Sequence, residues 1–211
     1  MKTSKAFWNY FTYNHKKIAN LPYETSKSQT NINRWLDRHI KNYCHHLDYL
    51  IRFPKKPGQK PEIIITANGN PLYFNYVIRL VKAAPIIKNW KITAFIQPSA
   101  EIDKMVDGLD KPYVFCDVVL KTSELKFLPL EHETNKTKLD VIVYLKDYSI
   151  YCNNKILLEA IFIIMQDLLG EKSLFDNLNL IQLGQMPEEE QNLIKLYELQ
   201  WYIDEINKSR V

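Results

Sequence analysis

The amino-acid sequence predicts an α+β protein, and three observations carry this expectation. A β-branched, nearly all-apolar run over residues 62–67 and further short segments such as residues 178–183 read as strands. Longer stretches, such as residues 31–47 and 154–169, place apolar side chains at helical spacing. No low-complexity linker separates the two kinds of segment. One domain over residues 1–211 is therefore expected, with a helical N-terminal extension (1–46) and a sheet-containing body (47–211).

Residues 5–20 read as a helix with Ser4 as N-cap. Phe7, Trp8, Tyr10 and Phe11 crowd its first turns, and Pro22 ends it. The polar stretch 23–30 reads as a loop. Thr30 or Asn31 then caps a second helix running to about residue 46, with an apolar stripe of Ile32, Trp35, Leu36, Ile40, Tyr43 and Leu47. Residues 47–53 suit a first strand and residues 54–61 a Lys- and Pro-rich hairpin loop. Residues 62–67 are nearly all apolar, which suits a buried central strand. Asn68-Gly69 signals a turn, Asn70 can cap the next helix, and Pro71 takes the first helical position. That helix carries Phe74, Val77, Ile78 and Val81 and stops before Pro85. Residues 90–96 form the next strand, so this segment reads as a strand–helix–strand unit with a right-handed parallel crossover.

Residues 99–108 read as a short helix or loop, 113–120 and 125–128 as strands, 131–138 as a polar loop, and 139–145 as a strand. Asn153 or Asn154 caps a helix to Leu169, closed by Gly170. That helix is apolar on most faces, so it must be covered on more than one side. The final helix and the sheet are the favoured cover, and a subunit interface is the alternative. Residues 178–183 form a strand. Pro187 opens a C-terminal amphipathic helix carrying Leu193, Leu196, Tyr197, Trp201 and Ile206. Strand–strand–helix–strand order can be read twice, over 47–97 and 125–183. This suggests a ββαβ pseudo-duplication in a mixed sheet.

The stretch Glu62-Ile-Ile-Ile-Thr-Ala-Asn-Gly69 continues to Val77-Ile-Arg-Leu-Val-Lys-Ala-Ala-Pro85 and Trp90-Lys-Ile-Thr-Ala-Phe-Ile-Gln-Pro98. It resembles an uncharacterised bacterial domain family of unknown function. That family has a strand ending T-A-D-G, a helix ending A-A-P, and a W-K strand. The later Leu168-Leu-Gly-Glu171 before a strand and the aromatic N-terminal helix are similar to it as well. The resemblance implies an α+β fold and supplies no catalytic residues. Asn68 stands where the pattern has Asp.

Composition narrows function. Five glycines in 211 residues leave no G-x-G-x-x-G, no G-x-x-x-x-G-K-[ST] and no G-x-S-x-G. Glycine-loop nucleotide binding and the hydrolase nucleophile elbow thus lose their sequence support. Cys44, Cys116 and Cys152 are odd in number and widely spaced, with no C-x-x-C, so neither a disulfide framework nor a zinc site is expected. The charged start lacks an apolar stretch behind it, and no apolar run is long enough to span a bilayer. A cytoplasmic location without membrane association is expected. Richness in Lys, Asn, Ile and Tyr suggests an AT-rich bacterial genome. The net charge of +4 hides an asymmetry: residues 1–60 hold 12 of the 28 Lys/Arg but 3 of the 24 Asp/Glu.

Several clusters are candidate sites. Asn68, Gly69 and Asn70 lie between a strand end and a helix start, where backbone N–H groups favour anions; the bland alternative is a simple turn. Arg34, Arg38, Lys41 and His45 share a helical face, which Lys16, Lys17, Lys55, Lys56 and Lys60 can extend. Such a face can meet an acidic protein, an anion or nucleic acid, or simply solvent. Cys44, His45 and His46 diverge around a helix and do not make a metal site. Glu131-His132-Glu133 has acid–base residue types but no nucleophile beside it, and Asp117 and Asp140 pair only if their strands are neighbours. No cofactor is implied. The leading expectation is a non-catalytic binding or protein-interaction module. One alternative is a small hydrolase or transferase with a site near Asn68–Asn70 or His132. The other is an anion or nucleic-acid binder using the basic N-terminal helices.

Overall fold

The computed structural model describes residues 4–99, 101–130, 138–189 and 192–209. The fold is α+β, and the chain divides into two compact units, residues 1–96 and 97–211. The first unit comprises α1 (Ser4–Ala19), α2 (Ser26–Tyr43), β1 (Asp48–Arg52), β2 (Glu62–Thr66), α3 (Phe74–Lys82) and β3 (Lys91–Ala94). Its sheet order is β1-β2-β3. β1 pairs antiparallel with β2, and β2 pairs parallel with β3.

Burial explains this order. All five residues of β2 are buried, and Ile63, Ile64 and Ile65 are fully so. A strand apolar on both faces needs a neighbour on each edge and cover on each face. The two N-terminal helices are part of this unit's core. α1 buries Phe7, Trp8, Phe11 and Ile18, and α2 buries Ile32, Leu36 and Ile40. The Trp8 indole N–H donates to the Leu80 carbonyl of α3 at 2.8 Å. Phe11 meets Trp8 and Trp90 edge-to-face, with ring centroids 5.8 and 4.8 Å apart. α2 begins earlier than the sequence expectation. Its N-cap is Thr25, whose Oγ1 accepts the Ser28 N–H at 3.3 Å. The polar stretch after Thr25 is helical because a good cap suffices there and its outward turn needs no apolar residue.

The second unit holds α4 (Ile102–Val106), a hairpin of β4 (Tyr113–Phe115) and β5 (Val118–Leu120), and a sheet built from β6 (Lys126–Leu130) and β7 (Leu139–Leu145). Then come α5 (Tyr148–Tyr151), α6 (Leu157–Leu169), α7 (Glu171–Asn177), β8 (Leu178–Gln185), β9 (Ile194–Lys195) and α8 (Leu199–Ser209). The sheet order is β8-β7-β6-β9, with β6 and β7 antiparallel and β7 and β8 parallel. One helix, α3, lies between β2 and its parallel neighbour β3, whereas α5, α6 and α7 lie between β7 and its parallel neighbour β8. Leu157, Ala160, Ile161, Ile164 and Met165 of α6 join Phe127 and Val143 in one core with Leu199 and Ile203 of α8. The final helix does cover α6, although Leu158 remains exposed.

Two boundaries in the second unit also differ from expectation. Residues 113–120 are not one strand, because Cys116 takes a positive φ of 51° and reverses the chain. The helix expected from Pro187 starts only at Leu199, because Ile194 and Lys195 pair with Phe127 and Lys126. No helix among the described residues is long and apolar enough to cross a membrane.

The Phe7–Trp8–Phe11–Trp90 cluster makes Phe11 a sensitive position. Phe11→Ala is expected to destabilise the first unit by about 3–5 kcal/mol. Urea unfolding followed by tryptophan fluorescence measures this.

Candidate functional site

The structure assigns the sequence-selected residues to separate places. Residues 67–70 form a tight turn in which the Asn70 N–H donates to the Ala67 carbonyl at 3.0 Å. Asn68 (φ 49°) and Gly69 (φ 75°) supply the two positive φ angles of a type I′ turn. The Asn68 N–H donates to Thr66 Oγ1 at 2.9 Å, and Asn70 Oδ1 accepts the Leu72 N–H at 3.1 Å. Asn68 and Asn70 therefore spend these polar groups on the strand-to-helix connection.

The α2 face is also divided. Arg34 and Arg38 are exposed, and the Arg38 guanidinium lies 5.0 Å from the Trp35 ring centroid. Lys41 turns back to its own unit, donating to the Leu47 carbonyl at 2.7 Å and lying 3.6 Å from the Asp48 carboxylate. His39 stacks on Tyr10 at 4.6 Å. Burial, helped by Arg38, pushes its pKa below the usual histidine value, so this ring is neutral at pH 7. Arg34 and Lys27 line a concavity of about 730 Å³ at the start of α2. Cys44 is buried, His45 is exposed, and His46 stacks on Tyr73 at 4.0 Å. Asp117 lies in the β4–β5 turn. Asp140 is buried in β7, accepting from Asn179 Nδ2 at 2.8 Å and the Leu180 N–H at 3.0 Å. The two acids thus lie in different sheets. Glu131, His132 and Glu133 fall outside the described residues.

The feature that unites cationic residues lies at the other end of β2. Strand register brings Arg52, Glu62 and Lys91 into one rung, since Arg52 pairs with Glu62 and Glu62 pairs with Lys91. Paired residues project to the same face of a sheet, so the three side chains line up as positive, negative, positive. The β1–β2 loop lines a concavity together with this rung. Gln59 Oε1 accepts the N–H groups of Lys55 and Lys56 at 3.0 and 3.2 Å, and Gly58 takes a φ of 82°. A side-chain β-carbon is strained at that φ, so glycine suits the bend. Between loop and rung lies a cleft of about 840 Å³. Arg52, Lys55, Lys60 and Lys91 supply its cations, and Phe53, Pro54 and Trp90 its apolar wall.

Glu62 is the acidic residue on this lining, and it is buried. Its Oε1 accepts the Lys91 ammonium at 2.8 Å and the Thr93 hydroxyl. Burial pushes its pKa up, but hydrogen bonds from Lys91 and Thr93 and the charges of Lys91 and Arg52 more than offset that. The carboxyl therefore titrates below its ordinary value and is ionised at neutral pH. It neutralises one of four cations, and the cleft keeps a positive excess.

Sequence reasoning found Lys55 and Lys60 as a charged loop but missed Arg52, Lys91 and Glu62. The available signal was a charged residue at one end of each of three strands. Its meaning depends on register, which the sequence does not state.

Glu62→Gln removes the charged acceptor and is expected to cost about 1–3 kcal/mol at pH 7. The folded pKa is depressed, so Glu62 contributes stability above the unfolded carboxylate pKa of about 4.3. That contribution disappears as pH falls through the folded value. Urea midpoints of parent and variant should differ at pH 7 and converge in strong acid. No family model, curated protein or solved structure matches this chain.

Proposed function

We propose that this protein is a non-catalytic binding module that holds an anionic ligand in the cleft between the β1–β2 loop and the Arg52–Glu62–Lys91 rung. The observation that carries this is the gathering of four cations around one buried, already paired carboxylate. Charges of one sign on a concave, partly apolar wall concentrate their field on a bound ion. Arg52 offers a planar fork suited to phosphoryl or carboxylate oxygens, and the lysines add point charges. Glu62, the carboxylate on the lining, is engaged with Lys91 and Thr93, which favours a structural and charge-balancing role for it over acid–base chemistry. The paired Glu62 has a supporting role: it fixes Lys91 at the floor and limits repulsion among the cations.

Calorimetric titration with inorganic pyrophosphate tests the proposal. Binding is expected at low salt and should weaken as salt rises. The combined Arg52→Ala, Lys55→Ala and Lys60→Ala variant should bind at least about tenfold more weakly, a loss of about 1.4 kcal/mol. Glu62→Gln should bind more tightly, because it removes the one negative charge from the lining. Equal binding by the parent and the triple variant would overturn the assignment.

A further inference from the structure

We infer that the ligand of this cleft is a ring-bearing polyphosphate ester, of the nucleoside-diphosphate class. This rests on the anion-binding reading above and adds the second half of the ligand. The cleft holds two chemically distinct surfaces. Arg52, Lys55 and Lys60 supply the charged one, and Phe53 and Pro54 contribute the apolar one. Pyrophosphate alone would leave that apolar surface wet. The open cleft, of about 840 Å³, has room for a ligand larger than pyrophosphate.

The walls are supported as a ligand site requires. Trp90 lines the cleft while being almost wholly buried, and Phe11 packs edge-to-face on its ring at 4.8 Å. That side is therefore rigid before any ligand arrives. Gln59 provides a polar group of defined sense. Two backbone N–H groups donate to its side chain, so the atom they meet is the oxygen, and the amide NH₂ is the donor that remains. The lining thus offers cations for phosphoryl oxygens, an apolar surface for a ring, and an amide donor for a ring or sugar acceptor. A glycine-rich phosphate loop is absent from the sequence, so side chains do the work that backbone amides do in such loops.

Titration of the full chain with ADP, UDP, inorganic pyrophosphate and adenosine tests this. ADP and pyrophosphate carry similar charge at pH 8, so their difference isolates the ring. The nucleoside diphosphates should bind about tenfold or more tightly than pyrophosphate, the scale expected for one ring contact. Phe53→Ala should weaken ADP much more than pyrophosphate, so that the ADP-to-pyrophosphate affinity ratio falls from about ten towards one; an unchanged ratio would overturn the ring assignment. The combined Arg52, Lys55 and Lys60 alanine variant should weaken both. Equal affinities for ADP, UDP and pyrophosphate would overturn the ring assignment and leave the anion site standing. Tight binding of adenosine without phosphate, unaffected by the triple variant, would overturn it as well. Absence of binding by pyrophosphate and by both diphosphates would overturn the anion site itself.

Discussion

Everything in the first unit depends on the burial of β2. Ile63, Ile64 and Ile65 are wholly removed from water, on alternate faces of one strand. Burying three isoleucines stabilises the unit by several kcal/mol, on the order of 1.5–3 kcal/mol each. The arrangement requires a strand on each edge, so β1 and β3 flank β2 and α3 makes the crossover between parallel neighbours. Once β2 is central, its first residue is also central. Glu62 is therefore carried into a buried rung with no choice about its depth.

A buried carboxylate is costly unless it is paired and hydrogen-bonded. Here both conditions are met by side chains from the adjacent strand, Lys91 and Thr93. The same geometry shapes the surface. Arg52 and Lys91 stand on either side of Glu62, and the β1–β2 loop adds Lys55 and Lys60 above them. A packing demand in the core and a cationic concavity at the strand ends are thus two consequences of one register. The opposite end of β2 is a tight, internally hydrogen-bonded turn with a different task.

Much of this was legible in the sequence. The Ile run of β2, the Asn-Gly turn, the Asn70 cap and the crossover helix are each specified within a few residues. The structure contains all four. Differences arose both where a distant partner outweighed local preference and where a local reversal left no clear mark in the sequence. Residues 194–195 form a strand because β6 offers an edge, and residues 113–120 fold into a hairpin at Cys116. The α2 basic face was visible as a helical period, but the engagement of Lys41 with Leu47 and Asp48 was not.

Sequence by itself determined the elements whose causes are local: periodicity, capping and turn chemistry act between neighbours along the chain. It also determined that the first 60 residues are cation-rich. Only the tertiary structure decided where those cations gather. Arg52, Glu62 and Lys91 lie on three strands, and a slip of one residue in either pairing would send their side chains to opposite faces. The core fixes that register by burying β2, and the cleft follows from a cooperative event that no single stretch of sequence records.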